Sequence, residues 1–245
     1  MSLTASPENQ LQLIELAQID TKLIQLDHQR VAIPELKAIQ DLEIELGSID
    51  LKTVAAQTEV SDLTQAQAKA EADVEQVEVR ISKDQERLSA GTGNPKDLES
   101  LQHELGTLAK RLSELEDVEL GIMQQLEDAQ SALADLTNEK NLVTLKLADT
   151  RKVFESKLHE VEQLILTEQE SRKKLTQSLP TELVDLYEKI RADRGDVGAA
   201  LLSLGSCQGC HLSLDATEIN RIKDLPEDAI VRCEECRRIL VRAKG

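Results

Sequence analysis

All four cysteines of this 245-residue chain fall between positions 207 and 236, as Cys207–Gln208–Gly209–Cys210 and Cys233–Glu234–Glu235–Cys236. Two residues between cysteines let a tight knuckle aim both thiolates at one ion. Two such pairs complete the tetrahedral sulfur environment that structural zinc prefers. Iron also accepts four thiolates and stands as the alternative metal. Gly209 is expected to ease the turn of the first knuckle. His211 follows Cys210 directly, and with four sulfurs available it belongs outside the ligand set. Four thiolates leave no open position for a substrate, which argues against zinc-assisted hydrolysis. A dithiol redox catalyst is disfavoured too, because the pairs are equivalent and no βαβ pattern surrounds them.

The composition restricts what can hold these knuckles. The chain has one Phe, one Tyr and no Trp, so burial must come from Leu, Ile, Val and Ala. That suits a narrow helical seam better than a broad core. Acids outnumber bases 46 to 29, giving a formal charge of −17, which disfavours general association with nucleic acid or anionic lipid. The opening stretch MSLTASPENQLQLIELAQ lacks the basic start and apolar core of a signal peptide. No apolar run approaches the ~18 residues that a bilayer span needs. The expectation is a cytoplasmic protein without a membrane segment, where structural disulfides are uncommon.

Most of the chain reads as helix. From Ile39 a 3,4 alternation runs through Leu42, Leu46, Ile49, Thr53, Ala56, Val60, Leu63, Gln67, Ala70, Val74, Val77, Ile81, Asp84 and Leu88. Such a heptad row predicts a coiled coil, weakened locally at Thr53, Gln67 and Asp84. An earlier row, Leu16, Ile19, Leu23, Leu26 and Ile33, slips in register at Pro34, predicting a kink or short break near 33–36. SAGTGNPKDLESL then predicts a turn near 89–95, with Asn94 capping and Pro95 opening the next helix. A second row follows from Leu98 through Leu101, Leu105, Leu108, Leu112 and Leu115, and on to Leu164. Matching lengths, on the order of 120 Å each at 1.5 Å per residue, favour an antiparallel hairpin over residues 8–178. A monomeric hairpin and pairing between copies both fit this pattern.

Residues 179–197 read as a short connecting helix, with Leu183, Leu186, Tyr187 and Ile190 on one face, and a linker. Residues 198–245 read as a small β-rich module. A strand or an extended entry is expected before the first knuckle, and strands are expected around the second. Between them a short helix is expected, capped by Asp215 with Glu218 in a capping box. The fold class is therefore mainly α, a long antiparallel coiled-coil hairpin with a small C-terminal β-rich ribbon. So small a module buries little apolar surface, and one structural Zn2+ would stabilise it directly.

The helical hairpin, NPKDLESLQHEL, CQGC, LDATEINRI and RCEECRRIL together resemble the bacterial C4-type zinc-ribbon family with an N-terminal coiled coil. The resemblance implies Cys207, Cys210, Cys233 and Cys236 as zinc ligands. It further implies nucleic-acid binding or protein interaction, and nothing in it supplies an enzyme.

Two contact surfaces merit testing. Arg221, Lys223, Arg232, Arg237, Arg238, Arg242 and Lys244 cluster around the second knuckle and form the candidate nucleic-acid or partner surface. Seven acids balance these seven bases over 201–245, and no aromatic series is present to stack on bases. At the hairpin turn, Asn94, Pro95, Lys96, Gln102 and His103 form a candidate docking tip. His28 and His159 read as surface residues, since no nucleophile–base arrangement or phosphate loop accompanies them. The favoured reading is a non-enzymatic protein-interaction or adaptor module. Its partner is a protein of unknown identity, and nucleic-acid binding through the ribbon is the alternative.

Overall fold

The computed structural model describes residues 3–91 and 93–242. Four helices come first: α1 (Pro7–Val31), α2 (Pro34–Ser89), α3 (Pro95–Ser178) and α4 (Thr181–Arg194). The C-terminal module follows as β1 (Ala199–Ser203), β2 (Ser206–Cys207), α5 (Ala216–Asp224), β3 (Val231–Arg232) and β4 (Ile239–Arg242). The chain divides into two compact units, one of residues 38–151 and one joining residues up to Lys37 with those from Lys152 onward.

In the unit of residues 38–151, α2 and α3 pair antiparallel. Glu43 meets Arg151, Asp50 meets Lys140 and Arg80 meets Glu104, so partner numbers fall along α3 as they rise along α2. The seam buries Ile39, Leu42, Ile49 and Ala70 of α2, and Leu101, Leu115, Leu126, Ala129, Val143 and Leu147 of α3. Its polar members are satisfied in place. The Thr53 hydroxyl donates to the Ile49 carbonyl at 2.8 Å. The buried Asp84 carboxylate accepts from Arg80 Nε at 3.2 Å and faces Arg87 at 3.5 Å. At the turn, Gly91 and Gly93 adopt φ of 61° and 153°, which only glycine takes readily. Asn94 Oδ1 accepts the Asp97 amide at 2.9 Å, and Pro95 begins α3, matching the sequence expectation.

In the other unit, α1 ends at Val31 and α2 starts at Pro34. The interruption is a short break at Ala32–Ile33, at the N-terminal edge of the expected kink or break, because the proline opens a helix instead of bending one. The four strands form one sheet of order β2-β1-β4-β3. β1 runs parallel to β4, with Ala199 opposite Ile239 and Leu201 opposite Val241. β2 and β3 add antiparallel on either side.

Alternation along the strands gives the sheet two buried faces. Ala199, Ile239 and Val241 pack on Leu13, Leu16 and Ala17 of α1 and on Leu183, Tyr187 and Ile190 of α4. Ala200 and Leu240 point the other way, toward Ile222 of α5, Val231 and the cysteines. The ribbon is therefore docked on α1 and α4. The segment before α1 joins it: Ala5 N–H donates to the Asp228 carbonyl at 2.8 Å, and Gln10 Nε2 bridges the carbonyls of Ala5 and Glu227.

A charged cluster ties α1 to α3 and α4. Asp20, fully buried, accepts from the Tyr187 hydroxyl at 2.7 Å and Arg172 Nε at 2.7 Å, with Arg191 Nε at 3.2 Å. Glu188 meets both arginines from the outside. Burial works against the Arg172 cation, but the hydrogen bonds to Asp20 and Glu188 outweigh it and raise its pKa. Burial, and then the Asp20 contact, likewise raise that of the Tyr187 phenol. Gly198 runs against this tyrosine, and a Cβ there would lie 2.4 Å from the Tyr187 carbonyl oxygen.

Candidate metal centre

The four cysteine sulfurs converge. All lie within 4.8 Å of one another, with Cys207 Sγ 3.7 Å from Cys236 Sγ and Cys210 Sγ 3.9 Å from Cys233 Sγ. Four sulfurs held tetrahedrally at the usual Zn–S distance stand about 3.8 Å apart, so the cage fits zinc. A disulfide needs sulfurs near 2.05 Å, and the thiols are free.

The two knuckles are built alike. The Cys207 amide donates to the Leu212 carbonyl at 3.0 Å, while its own carbonyl accepts His211 N–H at 2.8 Å. The Cys233 amide donates to the Arg238 carbonyl at 2.9 Å, and its carbonyl accepts Arg237 N–H at 2.9 Å. In each, the residue after the second cysteine takes the left-handed conformation: His211 at φ 60° and Arg237 at φ 62°. Sequence reasoning missed both, since neither is the Gly or Asn that usually signals this geometry.

Gly209 is needed, but for a different reason from the one expected. It is not among the positive-φ glycines. A Cβ there would sit 2.8 Å from Ala200 Cβ and 2.9 Å from Arg238 Cδ. The position is thus fixed by the close approach of β1 and of an arginine from the opposite knuckle.

That arginine reshapes the candidate contact surface. Arg238 is buried; its Nε donates to the Val197 carbonyl and its Nη1 to the Gly209 carbonyl, each at 3.1 Å, while Nη2 meets Asp196. Arg242 also turns inward, its guanidinium donating to the carbonyls of Ile222, Leu225, Pro226, Glu227 and Ala229 at 2.7–3.2 Å. Arg221 holds Glu218, with Nε to Oε2 at 2.6 Å. Glu218 therefore does not complete the expected capping box, and Asp215, the N-cap residue, makes no side-chain capping bond. Lys223, Arg232 and Arg237 are exposed, and Lys244 lies outside the described residues. Asn94, Pro95, Lys96, Gln102 and His103 are all exposed, as is His211.

Electrostatics differ among the thiols. Burial pushes Cys207 up to about 12 and also raises Cys233. Burial opposes ionisation of Cys236 as well, but the Arg238 amide, its guanidinium and neighbouring thiols bring that group down to about 7. A bound zinc ion would supply the positive charge that lets the raised thiols ionise. Arg238 would stabilise the resulting sulfur charge from outside the cage. Among the described residues, this is the only His/Cys/Asp/Glu group of three or more placed to hold a metal. No described helix is long and apolar enough to cross a membrane.

A helical hairpin carrying a four-cysteine ribbon defines a class of bacterial proteins, and comparison places the chain within it. Residues 16–195 match the CT398-like coiled coil hairpin domain, and residues 206–240 match the C4-type zinc ribbon domain. The Mycobacterium tuberculosis proteins MT2288 and Rv2229c are each 30% identical over 241 residues, covering 98% of this chain and of their own. A solved Mycobacterium smegmatis structure, 28% identical, superposes with a TM-score of 0.84 over 98% of this chain and all of its own. CT398 from Chlamydia trachomatis shares the fold at 17% identity, with a TM-score of 0.66 over 96% of this chain and 98% of that one. The chain belongs to the family that joins a CT398-like coiled-coil hairpin to a C4-type zinc ribbon.

Proposed function

We propose that the chain is a non-enzymatic, cytoplasmic protein-interaction module, in which one structural zinc on Cys207, Cys210, Cys233 and Cys236 locks the ribbon and the helices present the partner surface. One observation carries this reading most. The sulfur cage saturates a tetrahedral ion and is walled by Ala200, Ile222, Val231 and Leu240, so its metal has a structural task and no substrate position. The proposed domains are a hairpin over 8–178, a connector over 179–197 and the ribbon over 198–245. The exposed residues Asn94, Pro95, Lys96, Gln102 and His103 are proposed as a docking tip. Inward use of Arg238 and Arg242 counts against a nucleic-acid surface on the ribbon, because both guanidinium groups already donate to backbone carbonyls of the ribbon.

Crosslinking in native cells followed by mass spectrometry tests the proposal. A reproducible protein partner is expected, and its capture should weaken when Lys96, Gln102 and His103 are replaced. Absence of any reproducible partner would overturn the reading. Salt-dependent RNA or DNA binding by the zinc-loaded protein, lost on charge reversal at Arg232 and Arg237, would favour nucleic acid instead.

A further inference from the structure

Within residues 38–151, one side of α2 departs from the usual pattern of a two-helix coil. The side opposite a buried seam ordinarily carries charge. Opposite Leu42, Ile49 and Thr53, however, an arc of roughly 120° at 100° per residue is uncharged for four turns. It comprises Ile44, Gly47, Leu51, Val54, Ala55 and Thr58, with Gln40 and Ser48 between them. Ile44 is 74% exposed, Leu51 76% and Val54 61%. Gly47 adds a second sign. Glycine inside a helix weakens it, and here a Cβ would meet nothing within 4 Å in the chain itself. A missing side chain on an open apolar face lets another backbone approach closely.

The charges along the two rims say what kind. On one rim, Glu43 and Asp50 are neutralised by Arg151 and Lys140, each at 2.6 Å. On the other rim, Asp41, Glu45 and Glu59 form no ion pair among the described residues, and within residues 38–151 Lys52 is the one base of α2 beside them. A second copy laid antiparallel on this strip would set Glu45 against Glu59 and Lys52 against Lys52. Laid parallel, it would set this rim against Glu43 and Asp50, whose charges Arg151 and Lys140 already cancel, so no charge draws the copies together. Self-pairing is opposed one way and unassisted the other, whereas a helix flanked by Lys and Arg is matched.

We infer that the outer face of α2 from Ile44 to Thr58 is a docking strip for a cationic amphipathic helix of a partner protein. The helix lays its apolar side over Leu51, crosses close at Gly47 and places its bases along Asp41, Glu45 and Glu59. The inference rests on the interaction-module reading, and the two fail separately.

The test uses the zinc-loaded full chain and a fluorescent Leu/Lys peptide of about five helical turns in amphipathic order. A peptide of the same composition in scrambled order is the control. Binding is expected for the amphipathic peptide, weakened about tenfold or more by I44S/L51S/V54S and by Gly47→Leu, with helicity unchanged by circular dichroism. Gly47→Leu removes no contact within the chain, so its loss of binding reports the crossing point. Equal binding of the scrambled peptide, or unaltered binding by either variant, overturns the strip. So does sedimentation showing wild-type self-association that I44S/L51S/V54S abolishes. Partners crosslinked in cells equally by wild type and I44S/L51S/V54S would leave the interaction module standing without the strip.

Discussion

Arg238, on the second knuckle, reaches the first and donates from Nη1 to the carbonyl of Gly209 at 3.1 Å, through a gap that only a glycine leaves open. The two knuckles are thus joined by an arginine as well as by sulfur. Replacing Arg238 with Met should lower zinc affinity by about 10- to 100-fold, the usual cost of losing a group that orients metal ligands. Arg238→Lys should recover little, since one ammonium cannot span Val197, Gly209 and Asp196. Competition against a chromophoric chelator measures both, and wild-type affinity in either variant would refute the bridging role.

Stripping the metal from reduced protein should affect the two compact units differently. Ala199, Ile239 and Val241 pack on α1 and α4, so a loosened ribbon uncovers Leu13, Leu16 and Tyr187. Hydrogen exchange is expected to rise across the strands and in α1 and α4, while residues 38–151 keep their protection. Uniform loss across the chain, or no change, would contradict this.

The Asp20 cluster predicts a graded response. Tyr187→Phe deletes one donor to a carboxylate that keeps two arginines, and should cost about 1–2 kcal/mol. Asp20→Ala leaves the Arg172 guanidinium, whose side chain is 21% exposed, without its inner partner, and should cost about 3–5 kcal/mol. Denaturant unfolding of the unit containing α1 would separate the two.

Asp84 predicts an effect of opposite sign. Its side chain is 3% exposed on the seam, while Arg80 and Arg87 are 57% and 69% exposed. Both arginines can therefore return to water if the carboxylate is removed, and Arg80 retains Glu104. Asp84→Leu should be neutral or stabilise the hairpin by about 1 kcal/mol. A marked fall in the thermal midpoint would refute it.

Legibility in the sequence followed how local each signal was. The cysteine spacing and the 3,4 rows announced cage and hairpin, because both patterns are set by neighbours a few residues apart. Asn94 and Pro95 were readable for the same reason. The arginines were not. A string of Arg and Lys shows charge without showing what it faces, and Arg238 and Arg242 turned out to serve backbone carbonyls brought near by the sheet. Asp20 was hidden similarly, since its partners Arg172 and Tyr187 stand 152 and 167 positions away. The left-handed residues His211 and Arg237 escaped because the hydrogen bonds of each knuckle, and not side-chain type, hold them there.

Those same separations bear on how the molecule is made. Leu13, Leu16 and Asp20 leave the ribosome long before α4 and β4 exist to cover them. For most of translation the nascent chain carries an unshielded apolar helix, the kind of surface that invites chaperones or premature aggregation. That cover is completed only when the last strand slots in parallel beside β1, so a message truncated before Ile239 would yield a product whose first helix has α4 to pack on but lacks Ile239 and Val241.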